Sequence, residues 1–259
     1  FLRSRKDLPM ENSASVTAAM LAIGDELLSG RTKDKNIGHL ADLLTAAGIE
    51  LREVRIVGDE EDHIVSALNA LREGYDYVFT SGGIGPTHDD ITADAVSRAF
   101  GVPCLYDDKA MALMSAHYQK RGIEFTEARK RMARMPQGAE HIDNPVSIAP
   151  GFVIGNVHVM AGVPSVFQAM LDNVMPTLRK GRQVLSRSIG CPLPEGDIGE
   201  PLRAVAQAHA QVSIGSYPRF TDTGFANEIV VRGIEQSDVD AAIEAVQAMI
   251  DDLVASRAG

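Results

Sequence analysis

The chain of 259 residues is long enough for one large domain or a domain with a smaller companion, and its 45% apolar and 23% charged content is that of a globular protein. No apolar run approaches the roughly 20 residues of a membrane span, and a net charge of −10 repels phosphate backbones, so neither a membrane nor a nucleic-acid partner is expected. Cys104 and Cys191 form no CxxC pair and no disulfide framework, which reads as a reducing, cytoplasmic setting.

Residues 1–15 read as an extension outside the fold: Phe1 to Pro9 is basic but lacks the apolar centre of a signal peptide. Thr17 to Ile23 is an apolar run ending at Gly24-Asp25-Glu26, the pattern of a buried strand. Asn36 to Ala47 carries Ile37, Leu40, Leu43 and Leu44 at helical spacing, closed by Gly48. Ile49 to Val57 alternates as a strand, and Asp59 is placed to N-cap the helix bearing Ile64, Val65, Leu68 and Leu71. A third strand, Tyr77 to Thr80, runs into Ser81-Gly82-Gly83-Ile84-Gly85-Pro86, and Thr92 is placed to cap the helix that follows.

Strands alternating with helices predict a three-layer α/β domain over 16–180, built on a mostly parallel sheet. Within it, helix is expected from Asp108 to Arg121, around Glu127 to Met132 and from Ser165 to Leu178, with a hairpin about Gly155-Asn156. The pattern changes near Lys180. Strand, helix, two paired strands and a long helix from Asp238 to Val254 then predict a second, smaller α+β domain over 181–259.

The stretch from Ser81 to Thr92 carries the most chemistry. It leaves a strand and enters a helix, the place where open α/β sheets bind ligands. Gly82, Gly83 and Gly85 let a backbone approach a ligand closely and turn N–H groups toward an anion. Asp89 and Asp90 beside a phosphate site are accounted for by a divalent cation, Mg²⁺ or similar, bridging carboxylate and phosphate. The purely structural reading is a tight turn whose acids complement the helix dipole. Asp25 and Glu26 end the first strand and Asp59 the second. Three acidic clusters at consecutive strand ends point to one crevice, where a metal, a ribose hydroxyl or a pterin amino group are the alternatives. Arg129-Lys130-Arg131 with Arg134 is either a phosphate clamp or a solvated helix face. His88 has no zinc-like partner spacing, Ser81 and Ser165 lie in no GxSxG elbow, and neither GxxxxGK[ST] nor GxGxxG occurs.

Taken in order, Ile23 to Gly30, Asn36, Val57-Gly58-Asp59, Ser81 to Thr92, Asn144-Pro145, Ala149-Pro150-Gly151-Phe152 and Gly162-Val163-Pro164-Ser165 resemble the molybdopterin-binding (MoaB/MogA-like) domain. The subgroup they resemble is the amino-terminal part of CinA-type proteins. Ile214 to Pro218 resembles the KH-like module of that subgroup, and similar domains accompany some FAD synthetases.

The resemblance implies a phosphorylated nucleotide or pterin ligand and a homo-oligomer. It also implies metal-dependent cleavage of ADP-ribose-like pyrophosphates, with adenylylation of molybdopterin or ligand binding without turnover as the alternatives. It places functional aspartates at Asp59 and Asp90 and the phosphate turn at Gly82, Gly83 and Gly85. Taken with the residue reading, metal is expected at Asp90 with Asp25 or Asp59, and further ligand contacts at Gly24, Asp25, Glu26, Ser81, Pro86, Lys130, Arg131, Gly151 and Pro164. Two departures stand out. Ala161 precedes the Gly-Val-Pro-Ser turn where the subgroup has proline, and Val166-Phe167 follow it where an acid and Met are usual. Nothing in the chain resembles the amidohydrolase domain of full CinA proteins, so nicotinamide-nucleotide deamidation is not expected.

Overall fold

The computed structural model describes residues 15–221 and 224–258. The extension expected over 1–15 therefore falls, as far as residue 14, outside the described residues. The chain divides between Gly181 and Arg182 into two compact units.

The larger unit runs β1 (Val16–Ile23), α1 (Asp25–Leu28), α2 (Asn36–Ala46), β2 (Ile49–Val57), α3 (Glu61–Gly74), β3 (Tyr77–Ser81) and α4 (Thr92–Phe100). It continues through β4 (Cys104–Tyr106), α5 (Asp108–Lys120), α6 (Glu127–Lys130), β5 (Arg134–Pro136), β6 (Glu140–Ile142), β7 (Gly151–Ile154), β8 (Val157–Met160) and α7 (Pro164–Val174). Six strands form one sheet in the order β2-β1-β3-β8-β7-β6. The first four are mutually parallel, and β7 and β6 join antiparallel.

β1 shows why the sheet needs cover on both faces. Ala19, Leu21 and Ile23 enter one core with Ile64 and Leu68 of α3 and Val96 of α4. Val16, Ala18 and Met20 enter the other with Leu40 and Leu44 of α2 and Phe167 and Leu171 of α7. This strict alternation of fully buried side chains is the period-2 pattern of a central strand. The result is the three-layer, mostly parallel arrangement expected from the alternating elements.

The chain winds from β1 outward to β2, then returns to place β3 on the other side of β1. The carboxyl ends of β1 and β3 therefore flank a topological switch point. Because β7 runs antiparallel to β8, the loop entering β7 lies at the same end of the sheet as the loop leaving β8.

Two capping expectations are corrected. Helix α3 takes Glu60 as N-cap and has no side-chain cap. Asp59 turns its carboxylate instead to the N–H of Asp25, 3.0 Å away at the end of β1. Thr92 is the first residue of α4 rather than its cap, and its hydroxyl donates to the Gly82 carbonyl at 3.0 Å. In both cases a donor or acceptor from a distant segment outcompetes the local helix end.

His158 on β8 is 5% exposed and stacks on Phe79 with ring centroids 5.2 Å apart. Burial pulls its pKa from 6.5 to about 4. The unfolded chain therefore takes up a proton near 6.5 that the native state refuses until about 4. Stability is full above the unfolded value and falls by about 3 kcal/mol as the pH drops across that window. Urea unfolding of wild type and His158→Leu from pH 7 to pH 4.5 tests this. The stability gap between the two proteins should shift with pH, and a constant gap refutes the assignment.

The smaller unit runs β9 (Leu185–Cys191), α8 (Glu195–Ala208), β10 (Ser213–Thr221), β11 (Gly224–Gly233) and α9 (Gln236–Ala258). Its sheet is antiparallel in the order β10-β11-β9. Ile198 and Leu202 of α8 and Val239, Ile243 and Val246 of α9 bury Ile229 and Val231 of β11 in a core of its own. Among the described residues no helix is long and apolar enough to cross a membrane.

Candidate functional site

The strand ends build the crevice. Gly24 extends the β1–β2 pairing by donating its N–H to Val57, and Gly82 extends β3 toward β8 by donating to Met160. Gly82 has φ +111°, and a Cβ there would stand 2.1 Å from the Ile23 carbonyl oxygen. Gly83 has φ +67°, and a Cβ would stand 2.1 Å from the Thr92 hydroxyl. Only glycine fits this turn.

Two further loops are tied to it by Asn36. Its buried side chain donates to Ser81 Oγ at 2.7 Å and to the Gly162 carbonyl at 2.8 Å. The first residue of α2 thus fixes the turns that leave β3 and β8.

Above these turns lies a cavity of about 540 Å³. Gly82, Gly83, Gly85, Pro86 and Asp90 form one wall, and Met132, Val163, Pro164 and Val166 give it an apolar lining. Asn144, Ser147 and Ala149, from the loop entering β7, line it as well. A second cavity of about 210 Å³ is acidic, with Gly24, Glu26, Asp59, Gly83, Asp89 and Asp90 on its walls. Glu26, Gly83 and Asp90 line both.

The structure thus gathers acids from the ends of β1, β2 and β3. It selects among them differently from the sequence reading: Glu26 lines both cavities and Asp25 neither. Asp25 Oδ1 faces the Asp59 N–H at 3.3 Å, reciprocating the bond that Asp59 accepts. Asp59 is half-buried. Burial first, and then the charges of Asp25, Glu26 and Asp89, hold its carboxyl above the usual pKa, against the lowering pull of the Asp25 N–H. Asp90 Oδ2 accepts the N–H and hydroxyl of Thr87 at 2.8 and 2.6 Å, which folds the end of the glycine turn back on itself.

The basic cluster does not converge on either cavity. Lys130 pairs with Glu127, one turn back along its own helix, at 2.5 Å. Arg134 pairs with Asp94 through both terminal guanidinium nitrogens, Nη1 and Nη2. Arg131 stands behind the glycine turn beside Gly83, Gly85 and Asp90 and reaches the Asp90 carbonyl at 3.4 Å. Ser81 is buried as the acceptor of Asn36. Gly151 is buried at the start of β7, where a Cβ would stand 2.3 Å from the Val159 carbonyl.

Sequence reasoning missed Thr32, Met132, Ser147 and Val163 as lining residues. None lies in a motif that signals chemistry, and only the topology brings them together. Val166, noted as a departure from the subgroup, lies on the cavity wall.

An all-oxygen carboxylate set suits a hard divalent cation. Among the described residues, however, no three His, Cys, Asp or Glu side chains stand close enough to hold a metal ion by themselves. A cation here would need substrate phosphates and water to complete its ligands.

Residues 19–180 match the family described as probable molybdopterin binding domain, and residues 183–258 match the FAD synthase middle domain. The second match corrects the KH-like expectation: a strand, helix and antiparallel pair is common to many small α+β units, so Ile214 to Pro218 was not diagnostic. Protein PAE0875 of Pyrobaculum aerophilum is 36% identical over 78% of this chain and 79% of its own length. A CinA-like protein of Desulfosudis oleivorans is 36% identical over 79% of this chain, which spans 52% of that relative. The crystal structure of CinA from Thermoplasma acidophilum, itself a protein with unknown function, superposes with a TM-score of 0.58 at 32% identity. It covers 63% of this chain and 99% of its own.

Proposed function

Because this chain belongs to the MoaB/MogA-like family of molybdopterin-binding domains, in its CinA-type branch, we propose that its crevice binds a nucleotide joined through a pyrophosphate and hydrolyses that linkage. One observation carries the reading: Glu26, Gly83 and Asp90 line both the large apolar cavity and the small acidic one. A ring system in the first cavity leads its phosphates over the glycine turn into the second.

The groups that line the two cavities divide the work in this reading. The glycine turn presents backbone N–H groups to the phosphates. The half-buried Asp59, with its raised pKa, accepts the proton of the attacking water. The water oxygen forms a bond to one phosphorus as that phosphorus loses its bond to the bridging oxygen. ADP-ribose then yields AMP and ribose 5-phosphate. A divalent cation, held by Asp90 with Glu26 and by the phosphates, would neutralise the charge developing on the phosphoryl oxygens.

Incubation of the full chain with ADP-ribose, with and without Mg²⁺, Mn²⁺ or Co²⁺, tests this. AMP should appear only when a cation is present, and its absence under every condition removes the hydrolase reading. The apolar lining by Val163 and Val166 equally favours a pterin ring. Nucleotide-dependent adenylylation of molybdopterin by the protein would establish that second reading. Binding of ADP-ribose without turnover would leave a non-catalytic module.

A further inference from the structure

The loop entering β7 holds a strained residue, Ile148, between two residues that line the cavity, Ser147 and Ala149. Ile148 has φ +69°, in the left-handed region that a β-branched side chain avoids. Such a conformation costs on the order of 1–3 kcal/mol and persists where its surroundings over-determine it. Asn144 supplies those surroundings. It is 5% exposed, and its Nδ2 donates to Ser147 Oγ at 2.6 Å and to the Ala149 carbonyl at 2.8 Å. Its Oδ1 accepts the N–H groups of Val146 and Ser147 at 3.0 and 3.1 Å, and its carbonyl accepts the Ile148 N–H at 3.1 Å.

This arrangement leaves one proton uncommitted to Asn144. Ser147 Oγ spends a lone pair on Asn144, whose own acceptor is already filled by two N–H groups. A serine hydroxyl has one proton to give, and Ser147 lines the large cavity. From this juxtaposition we propose that Ser147 is a ligand-binding residue that donates its hydroxyl to an acceptor on the ring system of the bound nucleotide, and that Asn144 positions it. The inference rests on the nucleotide reading above and names one of its recognition contacts. The strain at Ile148 is then the cost of presenting a fixed donor rather than a mobile one.

The test uses AMP and its 1-, 3- and 7-deaza analogues, each lacking one ring nitrogen, as titrants of wild type, Ser147→Ala and Asn144→Ala. Ser147→Ala should weaken AMP binding about tenfold, the effect of one hydrogen bond into a cavity. One deaza analogue should lose a similar factor on wild type and almost nothing on Ser147→Ala. Asn144→Ala should weaken AMP at least as much. If that variant does not fold, the Ser147 and deaza comparison still decides. Equal affinity of Ser147→Ala and wild type for AMP, or deaza losses identical in both proteins, overturns the assignment while leaving the nucleotide reading intact. Failure of wild type to bind either AMP or ADP-ribose overturns that reading, and this contact with it.

Discussion

Alanine at position 82 is expected to cost the larger unit about 3–5 kcal/mol and to abolish ligand binding. The added Cβ would stand 2.1 Å from the carbonyl oxygen of Ile23, and the backbone there has φ +111°. Both partners of the clash are main chain: Ile23 ends β1 and Gly82 follows β3, its neighbour in the sheet. No rotamer change relieves it, so the two strand ends must separate where the crevice opens. Gly30→Ala is the control, since Gly30 has φ +71° but an added methyl would meet nothing within 4 Å. Its cost is the conformational one alone, about 1 kcal/mol. Urea midpoints for the two variants separate the effects. A Gly82→Ala shift no larger than that of Gly30→Ala would show that the turn yields easily and does not depend on close backbone approach.

The same turn shows how far the sequence was legible. Glycines directly after an apolar run, followed by two aspartates, carry their own explanation, and Gly82, Gly83, Gly85 and Asp90 do line the large cavity. The gathering of acids at three strand ends was legible too, because an alternating order of strands and helices puts every β-to-α loop on one edge of the sheet.

What failed were choices between a local and a distant partner. Asp59 resembles a helix cap in sequence, but the Asp25 N–H from the adjacent strand end takes its carboxylate. Lys130 reads as either a phosphate contact or part of a solvated helix face, and in the structure it pairs with Glu127, one helical turn back. Asp25 and Glu26 are indistinguishable as neighbouring acids. The short helix α1 decides between them, leaving Glu26 on the cavity walls and Asp25 against Asp59. The three-residue strands β4, β5 and β6 carry too little alternation to be read. The left-handed Ile148 is illegible for a different reason: its residue type argues against the conformation that Asn144 imposes.

The division of labour between Asp90 and Asp25 gives the second large effect. Asp90→Asn should lower turnover of ADP-ribose by about 10²–10³-fold while leaving stability nearly unchanged. The amide keeps an oxygen to accept the Thr87 N–H and hydroxyl that Asp90 Oδ2 now receives, so the turn is preserved. It also keeps the shape of a side chain lying 2.6 Å from where a Cβ on Gly85 would be. What it removes is one of the two carboxylate charges, the other being Glu26, that line both cavities. The loss should therefore appear in kcat and in a steeper requirement for divalent cation, with the urea midpoint almost unmoved. Asp25→Asn removes a charge of the same kind from a carboxylate that lines neither cavity, and an amide oxygen can still accept the Asp59 N–H. Its effect on turnover should stay within about tenfold, because it acts only through Asp59. Equal losses from the two variants would mean that charge anywhere on this sheet edge suffices, and that the assignment of Asp90 to the cation is wrong. A large loss confined to Asp90→Asn ties the chemistry to a carboxylate that lines both cavities.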